Sequence, residues 1–243
     1  MNNSKAHYII FHPEHARCCV EVNATVKDND TIIPNWKGKI YVDAIGAGNE
    51  DPFVFNDPWI YSYCHASQLR RNFRNDSFVQ KGSNLVFVSG QDAEKGMLTV
   101  DTVFHINDAY RWQKNPLDLP NKFSQHYFND KSDLWNRHLK FPITEKVHDS
   151  VSHTYEAKKY RPDNPEYSFL PLEKSGIRTS ISFENIPREI RNKITTRIKG
   201  KYPALLSQIE MDIIISMINQ KSQIQVLGDI ILSEQIAFYY KKC

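Results

Sequence analysis

The four cysteines, Cys18, Cys19, Cys64 and Cys243, fall at no spacing that reads as a disulfide framework, and adjacent Cys18 and Cys19 make poor partners for each other. Free thiols in a reducing compartment are the simplest reading. No stretch approaches the roughly 18 apolar residues of a membrane span. The opening MNNSKAHYIIFHPEHARCC is interrupted by His12, Glu14, His15 and Arg17, so it lacks the apolar run of a signal peptide. The expectation is a cytoplasmic protein with no membrane partner. Glycine-rich phosphate loops are missing too: GAG at 46–48 lacks the rest of either the GxGxxG or the Walker pattern. With no Gly-x-Ser-x-Gly elbow either, the sequence argues against a dinucleotide oxidoreductase, a P-loop NTPase and a serine hydrolase. A net charge of +3 is too small to make the whole chain a polyanion binder, so local clusters must carry any such argument.

What is present fits a mixed α+β protein able to bury a core without disulfides or metals. Apolar and alternating runs predict strands at 7–11, 18–26, 37–48, 84–90 and 97–106. WIYSY (59–63) reads as a strand and SQLRRNFR as a short helix capped by Ser67. QDAEKG reads as a loop, and Gly90 and Gly96 bracket a hairpin. From 107 to 180 prolines punctuate a weak pattern, and 181–183 is one more short strand. Pro187 and Pro203 predict helix starts. Ile190, Ile194 and Ile198 form one helical seam, and Leu205, Leu206, Ile209, Ile213, Ile214 and Met217 a second, broader stripe. The expected organisation is a strand-rich domain over 1–183 and a helical C-terminal region over 184–243 packed on it.

Several clusters offer chemistry. His12, His15, Cys18 and Cys19 are metal-capable, and His12 and His15 with Cys64 and His65 make one conceivable zinc set; loop histidines and packed cysteines are the plainer reading, and no metal is assigned. Tyr61, Tyr63, His65, Arg70, Arg71 and Arg74 interleave aromatics with guanidinium groups, the chemistry of base stacking and bidentate phosphate binding. HTYEAKKYRPDNPEY (153–167) offers His153, Tyr155 and Glu156 as acid–base groups, Lys158, Lys159 and Arg161 as charge, and Tyr160 and Tyr167 as stacking faces. A nuclease would need an acidic-x-Lys triplet after Asp163, but Lys174 follows Glu173 directly. Residues 188–201 set Arg188, Arg191, Lys193, Arg197, Lys199 and Lys201 against one acid, Glu189, a helix able to track a phosphate backbone or simply a solvated face.

The segment GSNLVFVSG followed by MLTVDTVFHI resembles the central hairpin of PUA-like small barrels, the superfamily of ASCH, EVE and YTH domains. It is also similar to the layout of the nucleotide-modification-associated (Nmad) families, with a histidine segment (YCHAS) before the glycine turn and a later histidine loop (VSHTYE). The likeness covers about residues 60–110, and Ser83 stands where an acidic residue is usual. It implies a PUA-like or small-barrel front and a pocket for a modified base or nucleotide, lined by aromatics.

The sequence therefore leads to an α+β fold with a strand-rich, barrel-like front and a helical C-terminal tail. The expected partner is a nucleic acid or nucleotide. His65, His153, Tyr155 and Glu156 are the candidate catalytic residues. Tyr63, Arg70, Arg71, Arg74, Lys158, Lys159, Arg161, Arg191 and Arg197 are the candidate phosphate contacts. An enzyme acting on nucleotides and an interaction protein that self-associates through its terminal helices are the alternatives. The sequence names no cofactor.

Overall fold

The structure is a computed structural model that describes residues 5–12, 17–43, 52–55, 57–62, 69, 79–113, 151–198 and 202–232. In chain order the elements are β1 (His7–His12), β2 (Arg17–Asp28), β3 (Thr31–Asp43), β4 (Ile60–Ser62), β5 (Asn84–Ser89), α1 (Gly90–Glu94), β6 (Met97–Gln113), β7 (Val151–Ala157), β8 (Leu170–Leu172), β9 (Ser180–Ser182), α2 (Arg188–Ile198), β10 (Ala204–Leu206), α3 (Gln208–Lys221) and β11 (Ile224–Leu232).

They build two sheets. The larger runs β10-β1-β5-β6-β7-β4, with β9 on the first residues of β6; the smaller runs β3-β2-β11-β8. Among the described strands only β1 and β5 pair in parallel, Tyr8 opposite Leu85 through His12 opposite Ser89. These two strands are apolar on both faces because both faces are covered. Alternation sorts their side chains. Tyr8, Ile10, Leu85 and Phe87 meet Val20, Val22, Val26, Ile40, Leu172 and Val226 of the smaller sheet. Ile9, Phe11, Val86 and Val88 meet Ile190 and Ile194 of α2 and Met211, Ile214 and Ile218 of α3. The result is three layers: small sheet, large sheet, helices.

The seventeen-residue β6 is shared by β9, β5 and β7 in turn. A bulge at Asp101, where Val88 pairs Val100 but Phe87 pairs Thr102, lets Val100 and Val103 face the helices together. The bulged Asp101 forms a buried ion pair with Arg178, their side chains 10% and 5% exposed. Between β5 and β6, Ser89 caps α1 by accepting from the Asp92 N–H, and Gly96, at φ +83°, ends it in a conformation that favours glycine.

The expected helical tail is overturned. The α2 seam of Ile190, Ile194 and Ile198 is buried, but Pro203 leads into a strand, β10, antiparallel to β1. The next helix starts at Gln208 because Ser207 and Glu210 form a capping box. Its buried side is Met211, Ile214 and Ile218, leaving Ile209 and Ile213 exposed. Residues 224–232 then form β11, which lies between β2 and β8 and so makes the helices internal to the fold. The described strands form two sheets, one path running from β10 to β4 and the other from β3 to β8, with a bridge between Val103 of β6 and Phe169 just ahead of β8.

Candidate functional site

A row of buried polar residues crosses the large sheet at the start of β1 and β5. His7, Asn84 and His105 lie on adjacent strands, Asn84 in register with His105, on the face that carries the helices. Each interrupts an apolar strand, so each must find a partner inside the protein. The Asn84 N–H donates to His7 Nδ1 at 3.0 Å, and His105 Nδ1 lies 2.8 Å from Asn84 Oδ1. Since Oδ1 only accepts, Nδ1 of His105 is the donor, and the neutral ring turns a lone pair at Nε2 outward.

That nitrogen faces Glu166. His105 Nε2 and Lys158 Nζ approach the same oxygen, Oε2, at 3.4 and 3.1 Å. The surrounding backbone fixes the geometry. The Lys158 N–H donates to the His105 carbonyl at 2.8 Å, the His105 N–H donates to Ser168 Oγ at 2.8 Å, and the Ser168 N–H donates to the Lys158 carbonyl at 2.9 Å. Lys5 completes the cluster: its ammonium occupies the space where a side chain on Gly82 would sit, and Gly82, at φ +81°, supplies that room. Burial pushes His105 down to about 4; Glu166 opposes this, while Lys158, Lys5 and His7 reinforce it. Burial likewise lowers His7, against the pull of Asp212 on α3. Glu166 is held below the usual carboxylate range, first by its hydrogen bond from Lys158 and then by His105 and Lys5. The arrangement sets two ammoniums and one imidazole nitrogen around a single side-chain carboxylate that is 57% exposed.

The cluster at 153–167 divides at the end of β7. Residues before that point belong to the sheet. Tyr155 is 2% exposed; its hydroxyl accepts from the Val79 N–H at 3.4 Å, its ring stacks on Tyr61, and burial pushes its phenol up to about 12. Glu156, on the opposite face of the strand, is buried and accepts from Tyr110 Oη at 2.8 Å and Asn107 Nδ2 at 3.4 Å. These two groups therefore do not converge on one reacting atom. His153 pairs with Arg111 in the β6–β7 register. Residues after Ala157 form a loop that presents charge: Lys158 on Glu166, Lys159 bridging Asp57 (2.7 Å) and Asp229 (3.5 Å), and an exposed Arg161. The hydrogen bond to Asp57 raises Lys159 further. Tyr160 stands edge-on to Tyr167, ring centroids 5.0 Å apart.

On α2, Arg191 donates to the Phe183 carbonyl at 3.5 Å, while Arg197 is exposed. At 100° per residue the two lie about 120° apart, on opposite flanks of the buried seam, so they do not form one phosphate-tracking stripe. Lys193, between them in sequence, is paired with Glu210 at 2.7 Å. Tyr63, His65, Arg70, Arg71 and Arg74 lie outside the described residues, as do His15 and Cys64. Among the described residues, no three His, Cys, Asp or Glu side chains gather as a metal-holding group, and no helix is long and apolar enough to cross a membrane.

Sequence reasoning missed Lys5, His7, Asn84, His105 and Glu166 as site residues. The available signal was a polar residue set into each of the runs HYIIF, NLVFV and VFHI, where an apolar one would serve packing better. No family model, curated protein or solved structure matches the chain.

Proposed function

We propose that the chain binds a nucleotide or nucleic acid by its phosphate, where Lys5, Lys158 and His105 gather around Glu166. The observation that carries this reading is that convergence: two ammoniums, Lys5 and Lys158, and the ring nitrogen of His105 come from three parts of the chain to one exposed carboxylate. Lysine ammoniums bind phosphate as point charges, and the exposed Arg161 on the same loop adds a planar fork. Tyr160, half-exposed beside it, offers a ring on which a base stacks. The resemblance of about residues 60–110 to PUA-like and nucleotide-modification-associated families implies a ligand of the same kind.

The test is a titration with short single- and double-stranded oligonucleotides and with free nucleotides, at low and moderate salt. Binding should weaken steeply as salt rises. The double variant Lys158→Met, Arg161→Met should weaken it about tenfold or more, roughly 1.4 kcal/mol. No binding of any probe at low salt removes the reading.

A second reading, self-association, has its own observation. Tyr202, Leu205, Ile209 and Ile213 are 46%, 47%, 73% and 37% exposed, an apolar run along β10 and one flank of α3. If two copies meet there, Ile209→Lys with Ile213→Lys converts a dimer to a monomer in sedimentation equilibrium. A wild-type chain that sediments as a monomer at high concentration rules this out.

A further inference from the structure

The contact between His105 and Glu166 lacks a proton. Nδ1 of His105 is spent on Asn84 Oδ1, so the neutral ring presents a bare Nε2 to a carboxylate oxygen 3.4 Å away. Both are acceptors, and the donor that holds Glu166 is Lys158. The other groups facing the ring are His7 and Asn84 from β1 and β5, Lys5 ahead of β1, Lys158 at the end of β7 and Ser168 from the loop after it. None is a second carboxylate. Glu166 itself rides on a locally closed turn, where the Asn164 N–H donates to the Arg161 carbonyl and the Glu166 N–H to Asn164 Oδ1, each at 3.0 Å. The side chain of Glu166 projects from this turn and is 57% exposed, so it can leave the ring by rotating toward solvent.

What the site lacks is an anion that brings its own proton and up to two charges. A phosphomonoester does both: its second ionisation lies near pH 6, so in the complex one proton is shared between a phosphate oxygen and Nε2, and the remaining charge meets two ammoniums, Lys5 and Lys158. A phosphodiester carries a single charge and no such proton. A carboxylate held low by lysine has none to share either. We propose that Glu166 is an internal stand-in for the terminal phosphate of a nucleotide, and that the site selects a phosphomonoester, which displaces this carboxylate, over the diester of a nucleic-acid backbone. This rests on the phosphate-binding reading above and narrows its ligand.

The experiment uses base-free probes on the full chain. Methyl phosphate and dimethyl phosphate are titrated while the ¹⁵N and ¹H signals of the His105 ring are followed by NMR. Methyl phosphate should shift Nε2 and bind at least tenfold tighter than dimethyl phosphate. Glu166→Gln, at an exposed position that does not endanger folding, should tighten methyl phosphate several-fold. Equal affinities for the two esters, or weaker binding by Glu166→Gln, overturn the proposal while salt-sensitive nucleotide binding still stands. If no oligonucleotide or nucleotide binds at low salt, the parent reading fails first.

Discussion

Arg178→Ala should destabilise the protein by about 3–5 kcal/mol, the range for breaking a buried ion pair by removing one partner. The guanidinium and the Asp101 carboxylate are 5% and 10% exposed, so the truncation strands a carboxylate in the interior. Its position compounds the loss. Asp101 is the bulged residue of β6, and the backbone beside Arg178 completes the sheet there, the Val100 N–H donating to the Thr179 carbonyl at 2.9 Å. Replacing both partners, Arg178→Met with Asp101→Leu, should recover most of the loss, because an apolar pair strands no charge. Urea unfolding midpoints of the single and double variants measure this. A single variant within about 1 kcal/mol of wild type would mean that water reaches the carboxylate, as for a surface pair.

The second large effect is a loss of stability in mild acid. His105 is lowered to about 4 in the folded protein, from an ordinary 6.5, mainly by burial. The sign follows from proton counting: between these values the unfolded chain binds a proton that the native ring refuses. Stability is therefore greatest above pH 6.5, falls as the pH drops, and levels off near pH 4, where the native ring also protonates. A difference of this size corresponds to a loss on the order of 3 kcal/mol at about 1.4 kcal/mol per unit. His7 shifts in the same direction and deepens the fall. Glu166, lowered rather than raised, adds its loss only below the carboxylate range. Denaturant unfolding at pH 7.5 and pH 5 should show the drop in the wild type and a smaller one in His105→Gln. An unchanged drop in that variant would move its origin away from this ring.

How much of this was legible in the sequence depended on how local the determinants were. The runs at 7–11 and 84–90 announced β1 and β5 because strands covered on both faces are continuously apolar, and alternation over 97–106 announced β6. The α2 seam was legible for the same kind of reason, one helix meeting one core. β11 was legible only in part, QIQVLGD reading equally as a turn or a short strand: Gly228 at φ +150° and Asp229 at φ +52° break its alternation, and its pairing with β2 shifts register there. In the candidate site, the loop charges Lys158 and Arg161 could be read from composition. The histidines could not, because His7 and His105 become neighbours only when β5 places Asn84 between them. Tyr155 and Glu156 showed the converse: adjacency in sequence suggested a shared site, and strand alternation sends the two side chains to opposite faces.

The place of β11 has a consequence for synthesis. Thr25 of β2 donates to Asp229 at 2.8 Å across 204 positions of chain. At about 5–20 residues per second, the β2–β3 hairpin leaves the ribosome roughly 10–40 seconds before the strand that covers its edge exists. Throughout that interval Val20, Val22 and Val26 show an apolar face and β2 an unpaired row of backbone groups, an open template for a neighbouring nascent chain. Slower initiation, which spaces nascent chains apart, should therefore raise the yield of folded protein.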